Sequence, residues 1–241
     1  MITLVLATRN AHKVEEIRAI LGQAYACLSL KDLANAPEVI EDAGTFAGNA
    51  TKKAIALAKW ILEPKKLQQA TRHPENFYVL ADDSGIEVDA LRGAPGVHSA
   101  RFAALDTGQP GNSSDAQNRE KLLRLLQNVP AGGRTARFRC VLALTPVHEL
   151  QKQSSSPVCY ADELELATEL FEGVCEGQIG FAQRGQGGFG YDSLFVPEGY
   201  QQSFAELDEE AKNEMSHRAQ ALAKLKQRFV RALRELPRIK P

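Results

Sequence analysis

Residues 77–89 place two aspartates where an apolar strand runs out. Phe77 to Ala81 is apolar, with aromatic and β-branched members, and this predicts a buried strand. Asp82 and Asp83 stand at its predicted end. Ser84-Gly85 predicts a turn, and Ile86-Glu87-Val88-Asp89 alternates as a second strand. Gly93-Ala94-Pro95-Gly96 is dense turn punctuation. Paired aspartates at a strand end can hold a divalent ion and orient a water. The same residues suit a solvated turn, and this segment alone leaves both readings open.

The rest of the chain reads as alternating strands and helices. Ile2 to Ala7 is an apolar, β-rich run. Val14, Ile17, Ile20 and Leu21 then recur at helical spacing, so a helix begins near Ala11 with Asn10 as its N-cap. Cys27 to Leu30 predicts a second strand. Thr45 predicts the cap of a helix whose face carries Phe46, Ala50, Lys53, Ala54, Leu57, Ala58 and Ile61. Asn118 to Leu126 predicts another helix, with Leu122, Leu125 and Leu126 as core candidates. Thr135 to Thr145 predicts a long strand, and Leu164 to Cys175 predicts one strand or two. A turn at Gly177 leads to a further strand up to Phe181, and Leu194 to Val196 is a short one. Leu207 to Glu210 starts a helix, and Ser216 caps the last, an amphipathic run from Ala219 to Leu233. Segments 63–76 and 146–162 lack periodicity and read as surface insertions.

With 241 residues, 44% of them hydrophobic, the chain can bury one large core or two lobes. Lys plus Arg number 29 against 30 Asp plus Glu, so bulk charge argues for neither a nucleic-acid polymer nor a membrane surface as partner. Cys27, Cys140, Cys159 and Cys175 form no metal-finger spacing, and Cys140 and Cys175 fall in apolar stretches. No signal peptide or membrane-spanning run is expected, which makes a cytoplasmic location the default.

Two further stretches suit a phosphorylated ligand. The turn from Thr8 to Lys13 joins a strand to a helix N-terminus, where free backbone N–H groups and the dipole attract anions. Lys13 adds a formal charge; an ordinary capped helix fits the same residues. Arg184 to Asp192 is glycine-rich, and its Phe189 and Tyr191 can stack on a base. His217 and Arg218 open the last helix, where cations oppose the dipole.

Four separated segments together resemble the inosine triphosphate pyrophosphatase family. They are Thr8 to Lys13, Ala81 to Ile86 with Gly93 to Arg101, Gly188 to Asp192, and Ser216-His217-Arg218. The likeness spans almost the whole chain in the same order. It implies an α/β fold, a long twisted mixed sheet with flanking helices forming two lobes around a nucleotide cleft, in a homodimer. It implies hydrolysis of non-standard purine nucleoside triphosphates (ITP and dITP, XTP and dXTP) to the monophosphate and pyrophosphate, with Mg²⁺.

By that resemblance Asp83 is the general base and, with Glu41, the metal site. Thr8, Arg9, Asn10, Ala11, His12, Lys13, Ser84 and Lys212 form the triphosphate cradle. Phe189, Gly190, Tyr191 and Asp192 line the base pocket, closed by His217 and Arg218. Arg218, a donor only, suits the 6-carbonyl of inosine and xanthosine and not the amino group of adenosine. Arg9, Ala43, Gly48 and Ser193 depart from the usual family residues. A nucleotide sensor without turnover and a pyrophosphatase for other nucleotides are the rival readings.

Overall fold

The computed structural model describes residues 1–33, 35–63, 76–108, 110–147 and 163–235. Both expected insertions fall almost wholly outside these residues, as does Cys159. The described elements are β1 (Ile2–Leu6), α1 (Ala11–Leu21), β2 (Tyr25–Ser29), α2 (Phe46–Ile61) and β3 (Phe77–Val88). Then follow α3 (Asp115–Leu125), β4 (Thr135–Pro146), α4 (Glu163–Leu166), β5 (Glu169–Ile179), β6 (Phe195–Pro197), α5 (Glu209–Met215) and α6 (His217–Glu235).

One six-stranded mixed sheet runs β2-β1-β3-β4-β5-β6. β1 pairs in parallel with β2 and β3, and the remaining pairs are antiparallel. The expected α/β class is therefore the one observed. Helix α1 supplies the crossover that parallel β1 and β2 require. Its cap is Asn10, whose side chain accepts from the Lys13 amide, and Thr45 caps α2 in the same way through Gly48.

Three apolar clusters divide the sheet. Val79 and Ala81 pack under α2, while Leu80 on the opposite face packs with α1 and α6. Further along the same strand, Ile86 and Val88 join a third cluster with Leu122, Phe138 and Phe195. Asp82, Asp83 and Ser84 lie between these cores.

The predicted break after Asp83 does not exist. β3 is one strand of 12 residues, paired with β4 from Tyr78 to Val88 without interruption. Gly85 serves close approach and not a turn: a Cβ there would collide with the Gly96 carbonyl oxygen and the Ser99 hydroxyl. That hydroxyl accepts from the Ile86 amide at 2.9 Å, fastening the Gly96–Arg101 turn over the strand. The turn expected at Gly177 is likewise absent, because β5 continues to Ile179. A Cβ at Gly177 would meet the Val196 carbonyl and the Phe195 ring, so this glycine also marks a close approach. Leu164 lies in the short helix α4 and not in a strand. Leu122 and Leu126 are buried as expected, but Leu125 points outward and is half exposed.

Candidate active site

The two aspartates project from adjacent positions of β3, and strand alternation sends them to opposite faces of the sheet. Asp82 goes toward α1 and α6, and Asp83 toward α2. Each meets a different set of cations.

Asp82 is 1% exposed. Its Oδ1 accepts from Lys13 Nζ and from Ser84 Oγ, each at 2.5 Å. Its Oδ2 accepts from Arg218 Nε at 2.8 Å and lies 3.4 Å from Cys140 Sγ. Burial works against ionisation here, but Arg218 and Lys13 overcome it and hold the carboxyl well below the usual range. Arg218 reaches this place because α6 packs tightly on β5. A Cβ at Gly173 would strike the His217 carbonyl and the Ala221 amide. Ser216 Oγ caps the helix by accepting from the Ala219 amide.

Asp83 faces the buried polar stripe of α2. Lys53 Nζ donates to its Oδ1 at 2.9 Å and to the Asp82 carbonyl at 2.9 Å. Asn49 Nδ2 donates to Oδ2 at 3.2 Å. Lys53 also reaches Glu41 Oε1 at 3.2 Å, and Arg101 holds the Glu41 backbone carbonyl. Burial raises the Asp83 pKa, and Glu41 adds to this; Lys53 and Lys13 oppose it without cancelling it. Glu41 itself is lowered, because Lys53 outweighs its desolvation. Two carboxylates in one site are thus pushed apart in acidity, the arrangement that separates a base from a permanent anion.

The glycine-rich loop closes the other end. Asp192, almost fully buried, accepts from the Phe189 amide at 3.1 Å and from Lys212 Nζ at 2.6 Å. Gly190 is gripped at both backbone groups: its N–H donates to Asp115 at 2.7 Å, and Arg119 donates to its carbonyl at 2.7 Å. Lys212 Nζ lies 5.4 Å from the Phe189 ring centre, and the Arg218 guanidinium carbon lies 6.0 Å from it. Beside Phe189 a cavity of about 410 Å³ is lined by His12, Asp115, Arg119, Gly188 and Gly190. A second one, about 450 Å³, surrounds Phe181 and Leu194 and contains none of the paired cations described above.

The predicted residues sort unevenly. Lys13, Asp83, Ser84, Lys212, Arg218, Asp192 and Phe189 converge, and Glu41 joins them through Lys53. His12 turns away from the aspartates and stacks on Phe189, with ring centres 5.2 Å apart and planes at 13°. Arg9 is exposed and directs its guanidinium to the Ala36 carbonyl at 3.4 Å. Thr8 and Asn10 shape the turn, the Thr8 hydroxyl accepting from the Asn10 amide. Tyr191 sits in the third core with its hydroxyl donated to the Ser99 carbonyl at 2.9 Å, so of the two aromatics only Phe189 stays outside the core, with His12 stacked on it. His217 is buried and stacked on Phe138. Desolvation, reinforced by Arg218, holds its pKa well below the ordinary imidazole value, so the ring is neutral. Its Nδ1 is a buried side-chain atom without a hydrogen-bond partner among the described residues.

Sequence reasoning missed Glu16, Asn49 and Lys53. For two of them a signal exists. Asn49 and Lys53 fall within the stripe that buries Phe46, Ala50, Ala54 and Leu57, and a lysine inside an apolar stripe needs a buried partner. Glu16 carries no such mark. Its partners, Lys212 and Arg218, are about 200 residues away in the chain.

The sequence and the fold have counterparts among known proteins. The dITP/XTP pyrophosphatase of Desulforamulus reducens is 45% identical over 222 residues, covering 92% of either chain. That of Opitutus terrae is 41% identical over 230 residues, covering 92% of this chain and 96% of its own. Among solved structures, a HAM1 protein from Coxiella burnetii matches with a TM-score of 0.72 at 33% identity, over 96% of this chain and all of the other. The Staphylococcus aureus Ham1 protein matches with a TM-score of 0.69 at 32% identity, over 96% and 99%. The Ham1 family model matches residues 4–228, and the chain belongs to the Ham1 family.

Proposed function

We propose that this protein hydrolyses non-standard purine nucleoside triphosphates, ITP and dITP or XTP and dXTP, to the monophosphate and pyrophosphate, with Mg²⁺. The observation that carries this reading is the placement of a buried, cation-paired Asp82-Asp83 between a lysine-bearing helix N-terminus and the Phe189 ring, on which the exposed His12 imidazole now stacks. The relatives named dITP/XTP pyrophosphatase agree with it.

Charge supports the need for a metal. Four cations, Lys13, Lys53, Lys212 and Arg218, the last three of them buried, are already matched by Glu16, Glu41, Asp82, Asp83 and Asp192. A triphosphate meeting these four finds them already neutralised by carboxylates, and a divalent ion adds positive charge. Asp83 and Glu41 fit that ion: both are hard oxygen ligands, and both already share one ammonium. Mg²⁺ is commonly held by one or two carboxylates with substrate phosphates completing the shell. When bound, it supplies a Lewis-acid contact to the phosphate oxygens.

The protein groups then divide the work. Asp83 takes the proton of the attacking water as the α,β-anhydride bond breaks, and its raised pKa makes it a better base than an ordinary aspartate. Lys13, at the positive end of α1, offsets charge on the departing pyrophosphate. Phe189 stacks on the purine. The Nδ1 of His217, without a partner among the described residues, supplies a donor for a 6-carbonyl in the tautomer that protonates it, and Arg218, whose three nitrogens also hold Asp82, Glu16 and Ser84, supplies another; a donor facing an amino group stays unsatisfied. Homodimer formation and cytoplasmic residence belong to the same proposal and rest on the resemblance; light scattering and fractionation check them. Among the described residues no helix is long and apolar enough to cross a membrane.

The test is pyrophosphate release from ITP, XTP, dITP, GTP and ATP, with Mg²⁺ and with chelator. The proposal expects metal-dependent release strongly favouring the 6-oxo, non-standard bases. Binding without release identifies a sensor, and equal release from all five identifies an unselective pyrophosphatase.

A further inference from the structure

Glu16 lies on α1, one turn beyond Lys13, and touches two cations from different helices. Its Oε1 accepts from Lys212 Nζ of α5 at 2.7 Å, and its Oε2 accepts from Arg218 Nη1 of α6. Lys212 and Arg218 lie on opposite sides of Ser216, the capping residue between the two helices, and Glu16 is the carboxylate that meets both. Burial opposes its charge, yet Arg218 and Lys212 hold its pKa below the usual range, so it is an anion.

The contacts continue in both directions. Arg218 passes to Asp82, and Asp82 to Lys13. Lys212 passes to Asp192, whose Oδ2 also holds the Phe189 amide. Alternating charges therefore run from Lys13 through Asp82, Arg218, Glu16, Lys212 and Asp192 to the backbone of the stacking residue. Lys13 and Glu16, one turn apart on α1, pin this series at two points to one rigid helix.

We infer that Glu16 is a positioning residue that couples the phosphate end of the site to the base end; this rests on the activity proposed above. Glu16 reaches the reaction only through Lys212 and Arg218. Without its charge Arg218 keeps Asp82 and Lys212 keeps Asp192, but the two buried cations lose the anion between them and repel each other, a costly arrangement that relaxes by movement. Lys212 then loses its fixed place against Asp192, and the Phe189 loop loses its anchor. A base bound there no longer aligns the triphosphate with Asp83, and misplacement of this kind lowers the rate of the chemical step as well as affinity.

The test is a double-mutant cycle on kcat/KM for ITP, using Glu16→Gln, Lys212→Gln and the pair, with circular dichroism and the thermal midpoint of each. Glu16→Gln keeps the shape and loses the charge. The expected loss is roughly tenfold to hundredfold in each single variant. In the pair the loss stays close to that of the worse single variant, because the two residues act as one unit. Losses that multiply, or a folded Glu16→Gln enzyme within about twofold of the parent, overturn the coupling. If Glu16→Gln does not fold, Glu16→Asp decides. It keeps the charge but is too short to hold both cations, so the same non-additive loss is expected and an unchanged rate overturns the inference. A parent that releases no pyrophosphate from any nucleotide rejects the activity itself and the coupling with it; an active parent with multiplying losses rejects the coupling alone.

Discussion

Lys53 donates to Asp83 Oδ1 at 2.9 Å from within the apolar face of α2, and the same ammonium binds the Asp82 carbonyl at 2.9 Å. Desolvation alone would push the Lys53 pKa down, but Asp83 and Glu41 reverse this and raise it. The lysine therefore stays charged and keeps Asp83 from rising as far as burial would take it. Replacing Lys53 by Met removes the nearest opposing charge. The Asp83 pKa should then climb further, because burial and Glu41 act with less opposition. The acid limb of the kcat/KM profile for ITP should move to higher pH by the same amount. An unmoved limb would show that Asp83 is not the group whose ionisation controls the rate.

Asp83→Asn preserves shape while removing basicity: its amide oxygen can still accept from Lys53, although its amide nitrogen then faces the Asn49 donor. Turnover should fall by about 10²- to 10⁴-fold, with nucleotide affinity in the absence of metal changed little. Single-turnover rates beside equilibrium binding separate the two effects. A variant as fast as the parent excludes Asp83 as the base.

Glu41 is a lowered carboxylate, more than a third exposed, that shares Lys53 with Asp83. It can serve a metal without leaving its place. Glu41→Gln should raise the Mg²⁺ concentration needed for half-maximal rate by about tenfold, and nucleotide affinity without Mg²⁺ should be nearly unaffected. An identical Mg²⁺ titration for parent and variant rejects the assignment.

Much of this architecture is legible in residue order, and the failures have definite causes. The period-3.6 pattern and the capping residues Asn10 and Thr45 mark α1 and α2 because caps and stripes are local. The strand break placed at Ser84-Gly85 fails because a polar triplet inside a strand looks like a turn unless the groups that cover it are known. Those groups are Lys13, Lys53 and Arg218, which lie 69, 30 and 136 residues from the aspartate each one binds. Tyr191 fails as a stacking residue for a similar reason: aromatic character says that it packs, not against what. Glu16 is invisible until α1, α5 and α6 come together.

His217 links stability to pH. Its folded pKa is held well below 6.5 by burial and by Arg218. In the unfolded chain an imidazole takes up a proton below about pH 6.5. The unfolded state then binds more protons than the folded one, so stability rises with pH through this region and is lost on acidification. The parent should lose about 1 kcal/mol between roughly pH 6.5 and 5.5 that a His217→Gln variant does not lose. Urea unfolding of both proteins across this range checks it. Parallel pH dependences would mean that His217 accepts a proton in the folded state.

The His12–Phe189 stack bears on how a base enters. Ring centres 5.2 Å apart with planes at 13° leave no room for a purine between the two rings. A base takes that face of Phe189 only after the imidazole, itself well exposed, swings away. Stacking is indifferent to the substituent at the purine 6-position, so Phe189→Ala should cut kcat/KM for ITP and ATP in similar proportion, by roughly tenfold to hundredfold. His12→Ala frees the ring from a competitor and should lower the KM for ITP by about two- to tenfold with kcat nearly unchanged. The sign of that change is the decisive measurement. A KM that rises instead makes His12 a second stacking wall that withdraws far enough to sandwich the base, and the imidazole would then belong to the binding site as a contact and not as an occupant.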